Sequence, residues 1–410
     1  MRYVLILALS VGLVSESFAA DGRPNLVFAI ADDWGWPHAS IYGNDEVCQT
    51  PAFDSIARNG LLFHHAYISS PSCTPSRNAI LTGQFHWRLG SGANLWSTLD
   101  TVHKTYPLLL EDAGYHVGSW RKSWGPGDLT NWDRHPAGKP YRSPDEFLKA
   151  WDRSKPFCFW LGASDPHRPY KPGSGKASGM DLSKIELFEH YPDDEIIRSD
   201  VADYYFEVQR FDRDVADFLA KLQQLSALDN TIVVMTGDHG MPFPRCKGNL
   251  YDSGARVPLA IQWPKGLKKP GREADDFVST TDIAPTFLAL AGVEVPPQMT
   301  GRSLEDLINS DRAGRIDPAR DHVLMGKERH VMAQEEPDTG GTPMRAIRNL
   351  DFLLIRNYRS DRWPAGTPNY KKAIIPNAWL ADCDNGPTKT YIVKNPVSYT
   401  HLTLPTTLNS

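Results

Sequence analysis

The sequence Asn25-Leu26-Val27-Phe28-Ala29-Ile30-Ala31-Asp32-Asp33 joins an apolar, strand-like run to two adjacent carboxylates. Similar runs, rich in β-branched or aromatic residues, recur at residues 157–163, 231–235 and 257–262. A strand that is apolar along its whole length is typical of a sheet buried on both faces. We therefore predict that these runs are strands of one large sheet that is covered on both sides.

Helical segments lie between these runs. Thr50-Pro51 places a capping residue before a proline, which predicts a helix that ends at Asn59-Gly60. The longest helix is predicted over residues 194–225, where apolar side chains repeat at three- and four-residue steps. Strands that alternate with helices predict an α/β fold, with a large, mostly parallel sheet and helices on both faces.

The composition is that of an ordinary globular enzyme, since 41% of the 410 residues are hydrophobic and 23% are charged. The formal net charge of −5 gives no reason to expect a nucleic acid or an anionic membrane as a partner. Five cysteines are too few for a disulfide scaffold in so long a chain. The sequence leaves open the oligomeric state and any pairing among Cys48, Cys158, Cys246 and Cys383.

The first twenty residues have the pattern of a secretory signal peptide. Arg2 precedes a short apolar run, and small residues follow up to Ala19 and Ala20. We expect cleavage near Ala19 or Ala20 and export to the periplasm or the extracellular space. We expect no membrane anchor, because the apolar run is too short to span a bilayer.

The rest of the chain divides into two parts by composition. Residues 21–304 form the predicted catalytic domain. Residues 305–396 are richer in turns and polar residues, with one strand predicted at 352–355. We expect them to form a smaller C-terminal subdomain, which is truncated if the tail that follows is an artefact. Residues 397–406 can be back-translated into a common sequencing adapter, so we expect residues 397–410 to be an artefact of assembly.

Polar side chains follow three of the predicted strands, where functional groups collect in open α/β sheets. Asp32 and Asp33 follow the first strand, His167 ends Asp165-Pro166-His167, and Asp238-His239 follow residues 231–235. Adjacent carboxylates repel one another, so Asp32, Asp33 and Asp238 in one site need a cation between them. Oxygen ligands favour Ca²⁺ or Mg²⁺, whereas His239 leaves Mn²⁺ or Zn²⁺ open.

Cys73 opens a predicted helix in Ser72-Cys73-Thr74-Pro75-Ser76-Arg77. Backbone amides and the helix dipole stabilise negative charge at this position, so a role beyond that of a buried apolar side chain is expected. Arg77, one turn further on, could brace Cys73 or bind an anion.

The pattern Cys73-x-Pro75-x-Arg77, followed by Leu81-Thr82-Gly83, resembles the signature of the type I sulfatases. The resemblance extends over residues 24–304 and implies an alkaline-phosphatase-like α/β fold. It implies that a formylglycine-generating enzyme oxidises Cys73 to formylglycine. It also implies that Asp32, Asp33, Asp238 and His239, together with residue 73, hold one metal ion, usually Ca²⁺.

Three further side chains match the family residue by residue. His167 resembles the histidine that contacts the sulfate, Lys247 resembles the leaving-group lysine, and Lys122 resembles the lysine of a Gly-Lys-x-His-x-Gly segment. The sequence departs from that segment, because Trp124 stands where the histidine is expected. The resemblance therefore leaves open which base helps to release sulfate from the enzyme, and His38, His64, His65 and His86 are other imidazoles that could serve.

The substrate is suggested by a resemblance to bacterial relatives of the heparan N-sulfatases. Glu328, Arg329 and His330 are the sugar-contacting side chains that this resemblance implies. It rests on the shortened loop around Lys122 and on a group of basic residues, namely Arg345, Arg348, Arg356, Arg359 and Arg362. The expected substrate is a sulfated glycan or a sulfated small molecule, with the N-sulfate of heparan-type glucosamine as the favoured target.

Three alternatives remain open at this point. The chain could be an O-sulfatase, such as an arylsulfatase or a glycan 6-O-sulfatase, because arginine clusters bind many anionic sugars. It could hydrolyse phosphonate esters or phosphodiesters, since such enzymes of the same superfamily share the Cys73 signature. If Cys73 is never oxidised, the same pocket could serve a non-enzymatic, metal-dependent protein that binds sulfated glycans.

Overall fold

The structure is a computed structural model that describes residues 22–43, 46–369, 371–372, 374–375 and 383–395. The described residues form thirteen strands: β1 Asn25–Ala31, β2 Leu61–Tyr67, β3 Ser97–Thr98, β4 His116–Trp120, β5 Gly127–Asp128, β6 Lys139–Tyr141, β7 Phe157–Gly162, β8 Thr231–Gly237, β9 Leu259–Gln262, β10 Arg272–Ser279, β11 His322–Lys327, β12 Met344–Asn349 and β13 Leu353–Asn357. The predicted signal peptide (1–20) and adapter-like tail (397–410) lie outside the described residues.

The same residues form ten α-helices: α1 Pro51–Arg58, α2 Cys73–Thr82, α3 Tyr106–Asp112, α4 Pro144–Ala150, α5 Ser174–Ala177, α6 Glu195–Gln224, α7 Asp252–Ala255, α8 Ile283–Leu290, α9 Glu305–Ile308 and α10 Pro387–Lys394. Short 3-10 helices are formed at Ser40–Tyr42, His86–Arg88, Gly90–Ala93, Leu182–Lys184, Leu228–Asn230 and Thr280–Asp282. No helix among the described residues is both long enough and apolar enough to cross a membrane.

The large sheet has eight strands in the order β10-β2-β9-β8-β1-β7-β4-β6. All of its neighbouring strands pair in parallel except at β9, which runs antiparallel to both β2 and β8. The predicted strand at 257–262 is therefore present as β9, but it is the strand that departs from the parallel arrangement. β1 lies between β7 and β8 in the interior of the sheet, which accounts for its unbroken apolar sequence.

Alternate side chains of β1 belong to two separate hydrophobic clusters. Leu26, Phe28 and Ile30 pack in the cluster that contains side chains of α2, α3 and α8. Val27 and Ala29 pack in the other cluster, with side chains of α1, α4 and α6. Because successive strand residues point to opposite faces, this division shows helices on both faces of the sheet. The predicted α/β fold is confirmed.

The long predicted helix is present as α6, one residue inside the predicted start. Asp194 caps it, because its carboxylate accepts a hydrogen bond from the Ile196 amide at 2.8 Å. The predicted apolar stripe is buried from Ile197 to Leu222, so it packs against the sheet as expected. Leu225 lies beyond the last turn and is 39% exposed.

The C-terminal region contains a second, antiparallel sheet of β11, β12 and β13. Val323, Met325 and Ala346 of this sheet belong to the same hydrophobic cluster as one face of the large sheet. The predicted strand at 352–355 corresponds to β13, which begins at Leu353. The boundary at residue 304 stays a prediction.

Candidate active site

The carboxyl ends of β1 and β8 bring three aspartates together. Ala31 and Gly237 are register partners, so Asp32, Asp33 and Asp238 follow neighbouring parallel strands at the same sheet edge. The Asp33 amide donates a hydrogen bond to Asp238 Oδ1 at 2.8 Å. The close approach requires Gly237, since a Cβ there would lie 2.0 Å from the Trp34 carbonyl oxygen.

His239 turns one ring nitrogen toward this carboxylate group. Its Nδ1 lies 3.0 Å from the Gly240 carbonyl oxygen, which only a protonated Nδ1 can satisfy. In the neutral imidazole with this tautomer Nε2 carries the lone pair, and Nε2 lies 3.2 Å from Asp33 Oδ1 and 3.3 Å from Cys73 Sγ. This tautomer is the one that a metal-binding imidazole needs.

Cys73 is the first residue of α2 and is 2% exposed. Burial raises the pKa of its thiol, although Lys122 and Lys247 act in the opposite direction. The unmodified Cys73 side chain is therefore a neutral thiol at the floor of the site. Since the thiolate is the reactive form of cysteine, the unmodified residue is a poor nucleophile.

Arg77, one turn after Cys73, joins two of the three aspartates. Its Nε donates to Asp238 Oδ2 at 2.9 Å, and its Nη2 lies 3.4 Å from Asp32 Oδ1. Its Nη1 donates to the carbonyl oxygen of Lys122. Arg77 thus fixes α2, β1, β8 and the Lys122 loop relative to one another, and it is fully buried.

Two lysines complete the charged group. Lys122 Nζ lies 2.6 Å from Asp32 Oδ1, and Lys247 Nζ lies 2.9 Å from Asp33 Oδ2. Burial opposes charge on the Asp32 carboxyl, but Lys122 and Arg77 outweigh it and hold its pKa well below the usual range. Burial likewise disfavours the charged lysines, yet Asp32 raises the pKa of Lys122 and Asp33 raises that of Lys247. Both lysines are therefore protonated.

The residues present fit a divalent cation. Asp33 Oδ1 is buried and accepts no hydrogen bond from the described residues, so one strong acceptor is left without a donor. Ligand atoms of Asp33, Cys73 and His239 lie within 4.8 Å of one another, as do those of Asp32, Cys73 and Asp238. Carboxylate oxygens suit Ca²⁺, and one imidazole is compatible with softer ions as well.

A cavity of about 570 Å³ opens above Cys73. His167, Lys247 and His330 line it, and Trp96 stands at its rim with half of its surface exposed. The Trp96 backbone is in the left-handed region at φ 57°, a conformation that a bulky residue adopts rarely. The cavity therefore offers charged groups at its floor and an aromatic face at its rim.

Asp384 is a residue of this site that the sequence analysis missed. Its Oδ2 accepts a hydrogen bond from Lys247 Nζ at 2.7 Å, and its carboxylate lies within 4.8 Å of ligand atoms of Asp33 and His167. Burial opposes its ionisation, but Lys247 and His167 keep its pKa well below the usual range. No motif marks Asp384, because packing alone brings it to the cavity from the far end of the chain.

Trp124 lies beside the site without lining the cavity. Its Nε1 donates to Asn78 Oδ1 at 2.6 Å, and its ring packs against the core. An indole has no basic nitrogen, so Trp124 cannot take a proton. Among the described residues, His167 and His330 contribute imidazoles to the cavity lining, whereas His38, His64, His65 and His86 do not.

The predicted sugar-contacting residues are divided by the structure. His330 lines the cavity, where its Nδ1 lies 2.8 Å from Ser72 Oγ, and burial together with the Lys247 charge holds its pKa well below the usual range. Glu328 is instead paired with Arg345, and Arg329 donates to the Thr339 carbonyl oxygen. Neither Glu328 nor Arg329 lines the cavity.

The arginines of the C-terminal region are also engaged away from the cavity. Arg348 is paired with Asp252, Arg359 with Asp361 and Arg362 with Asp338. Arg345 stacks over Trp87 and Arg356 over Tyr358. The basic group that the sequence suggests therefore does not form one anion-binding face. No disulfide joins the five cysteines, which all lie within the described residues and are buried.

Comparison with known proteins identifies the family. The sulfatase family profile matches residues 24–293, which is more than half of the chain. The chain belongs to the sulfatase family. A second profile, for the C-terminal part of N-sulphoglucosamine sulphohydrolase, matches residues 237–362 of this sulfatase. The family resemblance and the enzymatic class, a hydrolase of sulfate esters, are confirmed.

Two curated relatives and one solved structure are similar to this sulfatase. An ulvan-active sulfatase of Formosa agariphila is 29% identical and covers 85% of this chain and 68% of its own. Human N-sulphoglucosamine sulphohydrolase is 28% identical, and the match covers 82% of this chain and 74% of the human protein. The solved structure of the phosphonate monoester hydrolase of Agrobacterium radiobacter shares the fold, with a TM-score of 0.68 at 17% identity. The superposition covers 82% of this chain and 87% of the hydrolase.

Proposed function

We propose that this sulfatase is exported and removes the N-sulfate from glucosamine of heparan-type glycans, using formylglycine at position 73. The match of residues 237–362 to the N-sulphoglucosamine sulphohydrolase profile carries the choice of substrate. That range includes Asp238 and His239, which lie beside Cys73, and Lys247 and His330, which line the cavity.

In this proposal the modified cysteine supplies the attacking hydroxyl, and the metal ion supplies the positive charge that stabilises it. Formylglycine, as a hydrated aldehyde, provides a hydroxyl for attack on sulfur. Ca²⁺, held by Asp32, Asp33, Asp238, His239 and residue 73, would lower the cost of negative charge on that hydroxyl. Arg77 contributes by holding Asp32 and Asp238 in place, since it bonds to both.

The formal charges of the site suit a singly charged substrate. Asp32, Asp33, Asp238 and Asp384 face three cations, Arg77, Lys122 and Lys247, which leaves one negative charge. A divalent cation converts this to one positive charge. A sulfamate or a sulfate monoester carries a single negative charge, so the loaded site and the substrate are complementary.

Lys122, Lys247 and His167 act on the substrate around the sulfur. Lys122 and Lys247 are protonated and donate hydrogen bonds, so they would neutralise the sulfuryl oxygens as charge develops. Lys247 or His167 would protonate the leaving nitrogen. The net reaction breaks the N–S bond of the sulfamate and consumes one water, yielding a free amine and sulfate.

The proposal is tested on glucosamine that carries both an N-sulfate and a 6-O-sulfate. The chain is coexpressed with a formylglycine-generating enzyme, and the product is examined by mass spectrometry and by an assay for free amine. Loss of the N-sulfate, with a new amine, is the expected result. Loss of the 6-O-sulfate alone would replace the substrate assignment with an O-sulfatase, and hydrolysis of a phosphodiester instead would overturn the sulfatase chemistry.

Two further measurements test the modification of Cys73 and the export of the protein. The peptide containing Cys73 should have the mass of formylglycine, whereas an unmodified cysteine after coexpression would favour a glycan-binding protein. Fractionation of cells that express the full-length gene should place the activity outside the cytoplasm. Amino-terminal sequencing of that fraction should begin at residue 20 or 21.

A further inference from the structure

Asp384 presents a free carboxylate oxygen to the cavity. Its Oδ2 accepts from Lys247 Nζ at 2.7 Å, while Oδ1 accepts no hydrogen bond from the described residues. The Asp384 side chain is 31% exposed and lines the cavity. A charged hydrogen-bond acceptor thus lies beside Lys247 and His167, the two groups proposed to act on the leaving atom.

The segment around Asp384 is fixed to the catalytic domain. Asp200 on α6 accepts hydrogen bonds from Arg168 Nη1 at 2.8 Å and from Thr388 Oγ1 at 2.7 Å. Gly386 lies against the Arg168 guanidinium, where a Cβ would be 2.4 Å from Cζ. Lys389 Nζ donates to the Cys383 carbonyl oxygen at 2.8 Å. The Asp384 carboxylate is therefore held in position before any substrate arrives.

An ionised carboxylate at this point discriminates between leaving atoms. The bridging nitrogen of a sulfamate carries a hydrogen and can donate to a carboxylate, whereas the bridging oxygen of a sulfate ester only accepts. A carboxylate next to an ester oxygen places two acceptors together without a proton between them. A site that hydrogen-bonds a substrate N–H discriminates strongly against an analogue without that N–H, because its buried acceptor is then left unpaired. This discrimination is far larger than that of an apolar pocket between substrates that differ by one methylene.

We infer that Asp384 is a specificity-determining residue that accepts a hydrogen bond from the bridging N–H of a sulfamate and thereby selects N-sulfate over O-sulfate. The inference rests on the proposed function, since it takes Lys247 and His167 as the groups at the leaving atom. It assigns the choice between nitrogen and oxygen to a residue outside the sulfatase signature.

The test compares two substrates that differ only in the bridging atom, glucosamine N-sulfate and glucose 2-O-sulfate. The quantity measured is the ratio of their kcat/KM values in the wild type and in Asp384→Asn. The replacement keeps an oxygen for Lys247 and presents an amide NH₂ to the cavity, which is a donor where the sulfamate needs an acceptor. We expect the N-to-O ratio to fall by tenfold or more.

Binding provides a second readout that needs no turnover. In the Cys73→Ala background, calorimetric titration should give a higher affinity for glucosamine N-sulfate than for glucose 2-O-sulfate. Adding Asp384→Asn should reduce that preference at least fivefold. Circular dichroism of each variant checks that the fold is unchanged.

Glu335→Gln is the matched control, because Glu335 is a lysine-paired carboxylate of similar exposure in the same region that does not line the cavity. It should leave both ratios unchanged. If wild type releases the N-sulfate but Asp384→Asn lowers both activities equally, Asp384 only holds Lys247 or a shared hydroxyl, and the inference is wrong. If wild type neither cleaves nor prefers the N-sulfate, the proposed substrate and the inference both fail.

Discussion

The Arg77 guanidinium and the Asp238 carboxylate form an ion pair closed to solvent, with Nε 2.9 Å from Oδ2. Arg77 stands one turn after Cys73 on α2, and Asp238 directly follows β8. The pair therefore fixes the helix that begins at Cys73 against the carboxylates that follow β1 and β8. Because both partners are fully buried, the loss of one leaves the other charge without a partner in a medium that cannot solvate it.

Replacement of Arg77 tests this relationship. We expect Arg77→Leu to lower the free energy of unfolding by about 3–5 kcal/mol, since Asp238 loses its charged partner in the interior. Urea unfolding at pH 7, followed by circular dichroism, measures the change. Arg58→Leu is the control, because Arg58 is an exposed partner of Asp54 and should cost less than about 1 kcal/mol. Equal costs for both variants would contradict the structural role of Arg77.

Removal of the thiol at position 73 should abolish turnover and spare the fold. We expect Cys73→Ala to retain less than about one thousandth of the wild-type kcat/KM, because the proposed covalent step would lose its nucleophile. Cys158→Ala is the control, since Cys158 is a buried thiol of β7 in the hydrophobic core and should keep its activity. Substantial activity in Cys73→Ala would exclude covalent catalysis at this position.

Calcium should stabilise the chain through Asp33. A ligand that binds only the native state adds about 2.7 kcal/mol at a hundredfold excess over its Kd, so Ca²⁺ should raise the Tm and EGTA should abolish activity reversibly. Asp33→Asn should lose most of the Ca²⁺-dependent shift. Asp276→Asn should keep it, since Asp276 is an equally buried carboxylate whose hydrogen bonds from the described residues come from the Ile316 and Asp317 amides. A shift that survives Asp33→Asn would place the ion elsewhere.

The sequence predicts the interior of the sheet better than its margins. β1, β7 and β8 are recognisable because both of their faces are buried, which makes them apolar at every position. β2 carries His64 and His65 in its middle, and β10 at the sheet edge begins Arg272-Glu273-Ala274-Asp275-Asp276. Strands with a partly exposed face or edge tolerate such residues, so their sequences lack the pattern on which the prediction depends.

The same reasoning explains which site residues could be predicted. Asp32, Asp33 and Asp238 follow recognisable strands, and Cys73 opens a recognisable helix, so local sequence places them at one sheet edge. Asp384 reaches the cavity because Thr388 bonds to Asp200, a contact between residues 188 positions apart. Such packing leaves no local signal. Glu328 and Arg329 show the converse, since a plausible local pattern does not reveal that both side chains are engaged elsewhere.

The pH dependence of stability should report on His86. Its Nδ1 lies 2.9 Å from Ser69 Oγ, and burial together with the nearby Arg345 charge lowers its pKa to about 3. Unfolded His86 titrates near its usual value of about 6.5, so below that pH the unfolded chain binds a proton that the native chain refuses. The contribution of His86 is therefore present above pH 6.5 and is lost progressively as the pH falls toward 3.

Between pH 7 and pH 5 this loss amounts to about 2 kcal/mol for one such group. His86→Asn keeps a polar atom near Ser69 but cannot titrate, so its free energy of unfolding should fall by about 2 kcal/mol less than that of the wild type over this interval. Urea unfolding at both pH values measures the difference. His322→Asn removes an exposed imidazole and should retain the wild-type dependence. An unchanged pH slope in His86→Asn would mean that the native chain protonates His86 as readily as the unfolded one.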